Sequence, residues 1–196
     1  MSYIKTIPED KAKGEVKEMY ESEIATRGYL PNFAKIFCYH PKVMLAWRAL
    51  IKSIIENMDK RNYELVTIAA ARELRSSYCM LAHGTVLQKK FYSSAELTEI
   101  VENPHSAILE PKEFAIMEFA QKIVRDAVSI TQKDIDDLKK HGFSDAEIFE
   151  ITTVATARCF FSKTLDALGA EPDNLYLSLD EKLRGALVVG NPIAEV

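Results

Sequence analysis

Apolar residues recur every three or four positions along most of this chain, the spacing of helix faces packed on a core. Between Pro41 and Met58 they fall at Val43, Met44, Trp47, Leu50, Ile51, Ile54, Ile55 and Met58, which predicts one amphipathic helix. Before it, a charged stretch over 8–27 opens on Pro8, Glu9 and Asp10 and stops at Gly28, the start and stop signals of a single N-terminal helix. Leu30-Pro31-Asn32 then turns the chain, and a short apolar segment from Phe33 to Tyr39 leads into His40-Pro41. Asp59 is a candidate cap for a helix over about 61–74, and Ser76-Ser77 for one over about 77–91. Ser93 with Glu96 and Ser144 with Glu147 form capping boxes, and Thr131 with Asp134 approximates one. Asn103-Pro104 stops a helix, and Gly142 and Gly169 close two more. A helix over 111–128 presents Phe114, Met117, Ile123 and Val124. No alternating run is long enough for a sheet, so the fold class is all-α, a single-domain helical bundle.

Two segments resemble each other. Glu64-Leu-Val-Thr-Ile-Ala-Ala-Ala-Arg72 and Glu150-Ile-Thr-Thr-Val-Ala-Thr-Ala-Arg158 agree at five of nine positions. Either the chain holds an internal helical repeat, or two buried Ala-rich helices coincide. Small residues let helix backbones approach closely, so these two helices are expected to pack centrally. Ser76, Cys79 and His83 follow the first segment, and Ser162, Leu165 and Gly169 occupy the same offsets after the second.

Composition narrows the class of partner. The chain has 196 residues and a formal charge of −4, with 7 Gly and 7 Pro, so collagen-like and low-complexity chains are excluded. Mild acidity argues against nucleic acid and against an anionic membrane as partners. The longest stretch without Asp, Glu, Lys or Arg, Ser76 to Gln88, is too short to span a bilayer. Met1-Ser-Tyr-Ile-Lys lacks the pattern of a signal peptide. Cys38, Cys79 and Cys159 are an odd set without framework spacing, which points to free thiols in a reducing cytoplasm.

Chemistry concentrates between Glu64 and His83. Cys79 falls in the first turn of its predicted helix, where backbone N–H groups and the positive end of the helix dipole favour a thiolate. His83, four residues on, shares its face and can take the thiol proton directly or through a water. Antiparallel pairing of the two helices brings Glu64 to the far ring nitrogen of His83. Nucleophile, base and orienting acid then follow the logic of a triad. Packing is the alternative reading, since free cysteine is among the most buried residue types.

Glu64, eleven residues, Ser76, two residues, Cys79, three residues and His83 resemble the redox motif of the alkylhydroperoxidase D-like, or carboxymuconolactone decarboxylase, superfamily. Glu64 matches its acid, Cys79 its second cysteine and His83 its histidine, while Ser76 stands at the place of its first cysteine. Tyr78, Gly84, the Leu30-Pro31-Asn32 region, Phe143 to Gly169 and Leu179 to Gly190 resemble the peroxidase-related branch. The resemblance implies an N-terminal helical segment over 1–29, a domain over 30–190 and a tail over 191–196. It also implies a homo-oligomer, trimer or hexamer, and an antioxidant peroxidase of peroxiredoxin type. Its substrate would be a small hydroperoxide and its reductant an external thiol, with no cofactor. Cys79 would attack the O–O bond and become a sulfenic acid, with His83 and Glu64 relaying the proton.

A serine at position 76 cannot form the motif's disulfide. Resolution would fall to an external thiol, or to Cys38 or Cys159, or the pocket would serve as a ligand-binding or redox-sensing site. Ser76 also suits an N-cap whose hydroxyl accepts an N–H of the turn that holds Cys79, and as a candidate site residue its hydroxyl is within reach of hydrogen-bonding the thiolate. A second enzymatic reading is a decarboxylase or lyase acting on a small carboxylated lactone, with His83 and Glu64 transferring the proton. Cys159 and Cys38 read as packing residues, His141 as a helix end, His105 as loop, and Arg72 and Arg158 as salt-bridge partners, with guidance of an anionic substrate as the alternative role of Arg72. No group of His, Cys and acids has metal-ligand spacing, and no glycine-rich phosphate loop is present.

Overall fold

A computed structural model describes residues 2–103 and 105–195. Among these residues there are ten α-helices and no strand: α1 (Gly14–Arg27), α2 (Asn32–Ile36), α3 (Pro41–Ile55), α4 (Lys60–Glu73), α5 (Ser77–Lys90), α6 (Ser94–Glu102), α7 (Pro111–Asp126), α8 (Gln132–Lys140), α9 (Asp145–Ala167) and α10 (Glu181–Leu187). The helix α4 is the axis of the bundle. Every residue from Tyr63 to Ala71 is buried, and α5, α7 and α9 pack around it. A helix buried on all sides needs small residues where its neighbours come close, and Ala69, Ala70 and Ala71 supply them. The expected contact between the two Ala-rich helices is present, because α9 lies directly on α4.

Local signals set most of the boundaries. The Asp59 carboxylate accepts the Asn62 N–H at 2.9 Å and starts α4. Reciprocal capping boxes at Ser93/Glu96 and Ser144/Glu147 start α6 and α9. The Thr131 N–H donates to Asp134 at 2.7 Å at the start of α8. Gly28, Gly142 and Gly169 end helices at φ of 83°, 89° and 69°. His141 closes α8 and His105 lies in an exposed loop, as expected. Asn103 ends α6, and Pro104 lies outside the described residues.

Three expectations are corrected. The N-terminal helix is not continuous over 8–27. A single 3-10 turn at Glu9–Lys11 precedes a break, because Ala12 is drawn into the core and Lys13 is extended. The helix from Pro41 ends at Ile55 rather than Met58, since the chain must turn before the Asp59 cap. In α7 the buried face is Ile116, Met117, Phe119, Ala120 and Ile123, leaving Phe114 and Val124 half-buried. Glu113 joins that face because Arg61 pairs with its carboxylate at 2.7 Å.

Candidate functional site

The connection between α4 and α5 is short, so the two helices run antiparallel as a hairpin. Arg75, at the turn, has φ of +56°, a strained value for a side chain with a Cβ, and it redirects the chain into Ser76. Cys79 follows as the third residue of α5 and is 2% exposed. His83 stands one turn further on, and its Nδ1 lies 2.6 Å from Glu64 Oε2. Of the residues that the sequence singled out, His83 and Glu64 are therefore in contact across the two helices, and Cys79 precedes His83 by one turn of α5.

Cys79 Sγ accepts a 3.1 Å hydrogen bond from the hydroxyl of Ser162, on α9. Ser162 is fully buried and occupies the offset after the second Ala-rich segment that Ser76 occupies after the first. This contact is not legible from the spacing around Cys79; the similarity between the two segments was the one signal pointing to position 162. Ser76 is the N-cap residue of α5 by position, but its hydroxyl makes no capping hydrogen bond and none to Cys79. The expected cap is thus corrected. The Ser76 backbone takes part instead, its carbonyl accepting the Met80 N–H at 3.0 Å. Its neighbour is Asp166, whose carboxyl burial pushes up while Ser76 pulls it down.

The rest of α5 is clamped by distant chain. The Tyr78 hydroxyl donates to Asp173 and accepts the Phe33 N–H at 3.2 Å. Asp173 also accepts the Asn32 N–H at 2.8 Å, which ties the Leu30-Pro31-Asn32 turn to the residue beside Cys79. The Ser77 hydroxyl accepts the Gly190 N–H at 2.8 Å. At Gly84 a Cβ would stand 2.9 Å from the methyl groups of Leu187, so glycine is what lets α10 close on α5.

Burial lowers the His83 pKa, and the positive charge of Arg158 lowers it further; Glu64 opposes both. The imidazole is therefore neutral at neutral pH. With Glu64 accepting a proton from Nδ1, the lone pair is on Nε2, the arrangement of a general base. Tyr63 completes the surroundings: its ring meets His83 edge to face at 5.7 Å, and its hydroxyl accepts from Arg158 Nη2. Neither Arg158 nor Arg72 forms the expected salt bridge among the described residues.

The other two thiols make no hydrogen bond to Cys79. Cys38 is buried next to Tyr20, whose hydroxyl burial and that thiol push far up. Cys159 is half-buried rather than core, and its thiol reaches the Ala155 carbonyl at 3.7 Å on the same helix. Burial raises its pKa. All three cysteines are free. Among the described residues no group of His, Cys and acidic side chains is placed to hold a metal ion. Among the described residues no helix is long and apolar enough to cross a membrane. A cleft of about 820 Å³ between α7 and α8, lined by His105, Phe114 and His141, contains none of the site residues.

The fold is that of the alkylhydroperoxidase D core. The structure is similar to a peroxidase-related protein of that core from Ralstonia eutropha JMP134, with a TM-score of 0.79 at 18% identity over 89% of this chain and 94% of that one. It is similar to a peroxidase-related protein from Silicibacter sp. TM1040, with a TM-score of 0.75 at 20% identity over 90% and 91%. It also resembles the debrominase Bmp8, with a TM-score of 0.71 at 14% identity over 93% and 94%. Bmp8 with a cysteine replaced by alanine has been seen in complex with 2,3,4-tribromopyrrole. Neither a protein family's sequence profile nor a curated protein matches the chain.

Proposed function

We propose that the protein is a thiol-dependent, peroxidase-like oxidoreductase of small hydroperoxides that works through Cys79. The observation that carries this reading is the arrangement around one sulfur: a hydroxyl donor at 3.1 Å from Ser162, and on the same helix a neutral imidazole fixed by a carboxylate at 2.6 Å. Sγ also lies in the first turn of α5, where the positive end of the helix favours negative charge.

In the proposed cycle His83 Nε2 takes the Cys79 proton, directly or through a water, and Glu64 stabilises the imidazolium that forms. The thiolate attacks the terminal oxygen of the hydroperoxide. The S–O bond forms as the O–O bond breaks, and the departing alkoxide takes the proton from His83. Cys79 is left as a sulfenic acid and the substrate as an alcohol. An external thiol displaces water from the sulfenic acid, giving a mixed disulfide, and a second thiol restores Cys79. Ser76 cannot take the place of that reductant, so the cycle is of one-cysteine type.

Homo-oligomerisation in the cytoplasm belongs to the same proposal. Leu50 on α3 and Phe149 on α9 are exposed and line one groove, apolar surface that a second copy would cover.

The test is reaction of the reduced protein with stoichiometric cumene hydroperoxide, followed by intact mass with a sulfenic-acid trap. Trapping at Cys79 that is abolished by Cys79→Ser and slowed about 10²-fold or more by His83→Ala supports the reading. Reaction no faster than that of a free thiol overturns it.

A further inference from the structure

Arg158 is a buried charge near the site that the proposed cycle leaves unused. It is 4% exposed, and none of the ion pairs among the described residues involves it. Its Nε has no hydrogen-bond partner, and Nη2 donates to the Tyr63 hydroxyl, a neutral acceptor. The guanidinium lies over two aromatic rings, 5.4 Å from the centre of Trp47 and 5.6 Å from that of Tyr63. Buried arginine is normally paired, because taking its charge out of water is costly unless an anion or a full set of acceptors replaces the solvent. The nearby Arg27 shows the ordinary solution: it is half in solvent and bonds Glu23 at 3.0 Å. The Glu64 carboxylate is committed to His83.

Tyr63 joins this guanidinium to the site, since its ring touches His83 and its hydroxyl holds Arg158. Arg158 is also close enough for its charge to bear on the imidazole. Aromatic rings on the guanidinium hold it in place without neutralising it, and its planar N–H fork suits a carboxylate.

We infer that Arg158, held between Trp47 and Tyr63, is the anion-recognition group of the Cys79 site and selects substrates that carry a carboxylate. As a statement about substrate this rests on Cys79 being the reacting thiol. As a statement about anion binding it does not.

Trp47 is the only tryptophan, and it reports directly on the group proposed. The experiment titrates the full chain with acetate and benzoate, and in parallel with acetamide and benzamide, following Trp47 fluorescence at constant ionic strength. The expected result is a saturable change with at least one acid and none with its amide. That change weakens about tenfold or more in Arg158→Met and is partly kept in Arg158→Lys. Binding survives in Cys79→Ser. No saturable response to either acid, equal responses to acid and amide, or undiminished binding in a folded Arg158→Met protein overturns the proposal. A thiol inert to peroxide in a protein that binds acids overturns the peroxidase reading and leaves the anion site standing. Peroxide reactivity without acid binding does the reverse.

Discussion

The hydroxyl of Ser162 donates a hydrogen bond to the sulfur of Cys79 across 83 residues of sequence. Both side chains are buried, so no solvent competes for the bond. A donor aimed at a sulfur stabilises it most when the sulfur carries charge. Ser162→Ala is therefore expected to slow alkylation of Cys79 by iodoacetamide by about tenfold, the equivalent of one hydrogen bond to a charged group. Thermal unfolding should shift little. Equal alkylation rates in the two proteins would assign Ser162 to packing alone.

The same contact predicts a gain of chemistry. In Ser162→Cys the new thiol starts from an oxygen position 3.1 Å from Sγ. Peroxide treatment should then give an intramolecular disulfide to Cys79, seen as a loss of two thiols by mass spectrometry. The wild type, whose three thiols are free, should give none.

Stability should depend on pH through His83. Its pKa is lowered in the folded state, by burial first and by Arg158 second. Between that lowered value and the unfolded value of about 6.5, the unfolded chain binds the extra proton. The contribution of His83 is thus complete above pH of about 6.5 and is lost as pH falls through this window. Urea midpoints followed across the window should fall more steeply for the wild type than for His83→Gln.

Asp173 is expected to be the most sensitive position outside the site. It is buried and accepts from Tyr78 and from the backbone of Asn32, joining the N-terminal turn to α5. Asp173→Ala leaves buried donors without acceptors and should cost about 3 kcal/mol in urea unfolding. Gly84→Ala pushes a methyl into Leu187 and should cost about 1–3 kcal/mol, with the loss relieved by Leu187→Ala in the same chain.

The sequence by itself determined the helical class, most helix boundaries and the pairing of His83 with Glu64. Each of these rests on short-range physics: apolar spacing, caps that satisfy a helix's own first turn, and residues four apart on one face. Even Glu64 was within reach, because a short connection between α4 and α5 leaves little choice of pairing. The break after Ala12 and the turn of α7 were decided by tertiary structure, where packing on the core outweighed local preference. So were the missing cap at Ser76, the donor Ser162 and the unpaired charge of Arg158. Spacing along the chain says what one helix can present to another, but which distant side chain fills the space beside a sulfur is set by how α9 lies on α4. The nine-residue similarity placed Ser162 at a matching offset, and only the packed bundle put its hydroxyl on Cys79.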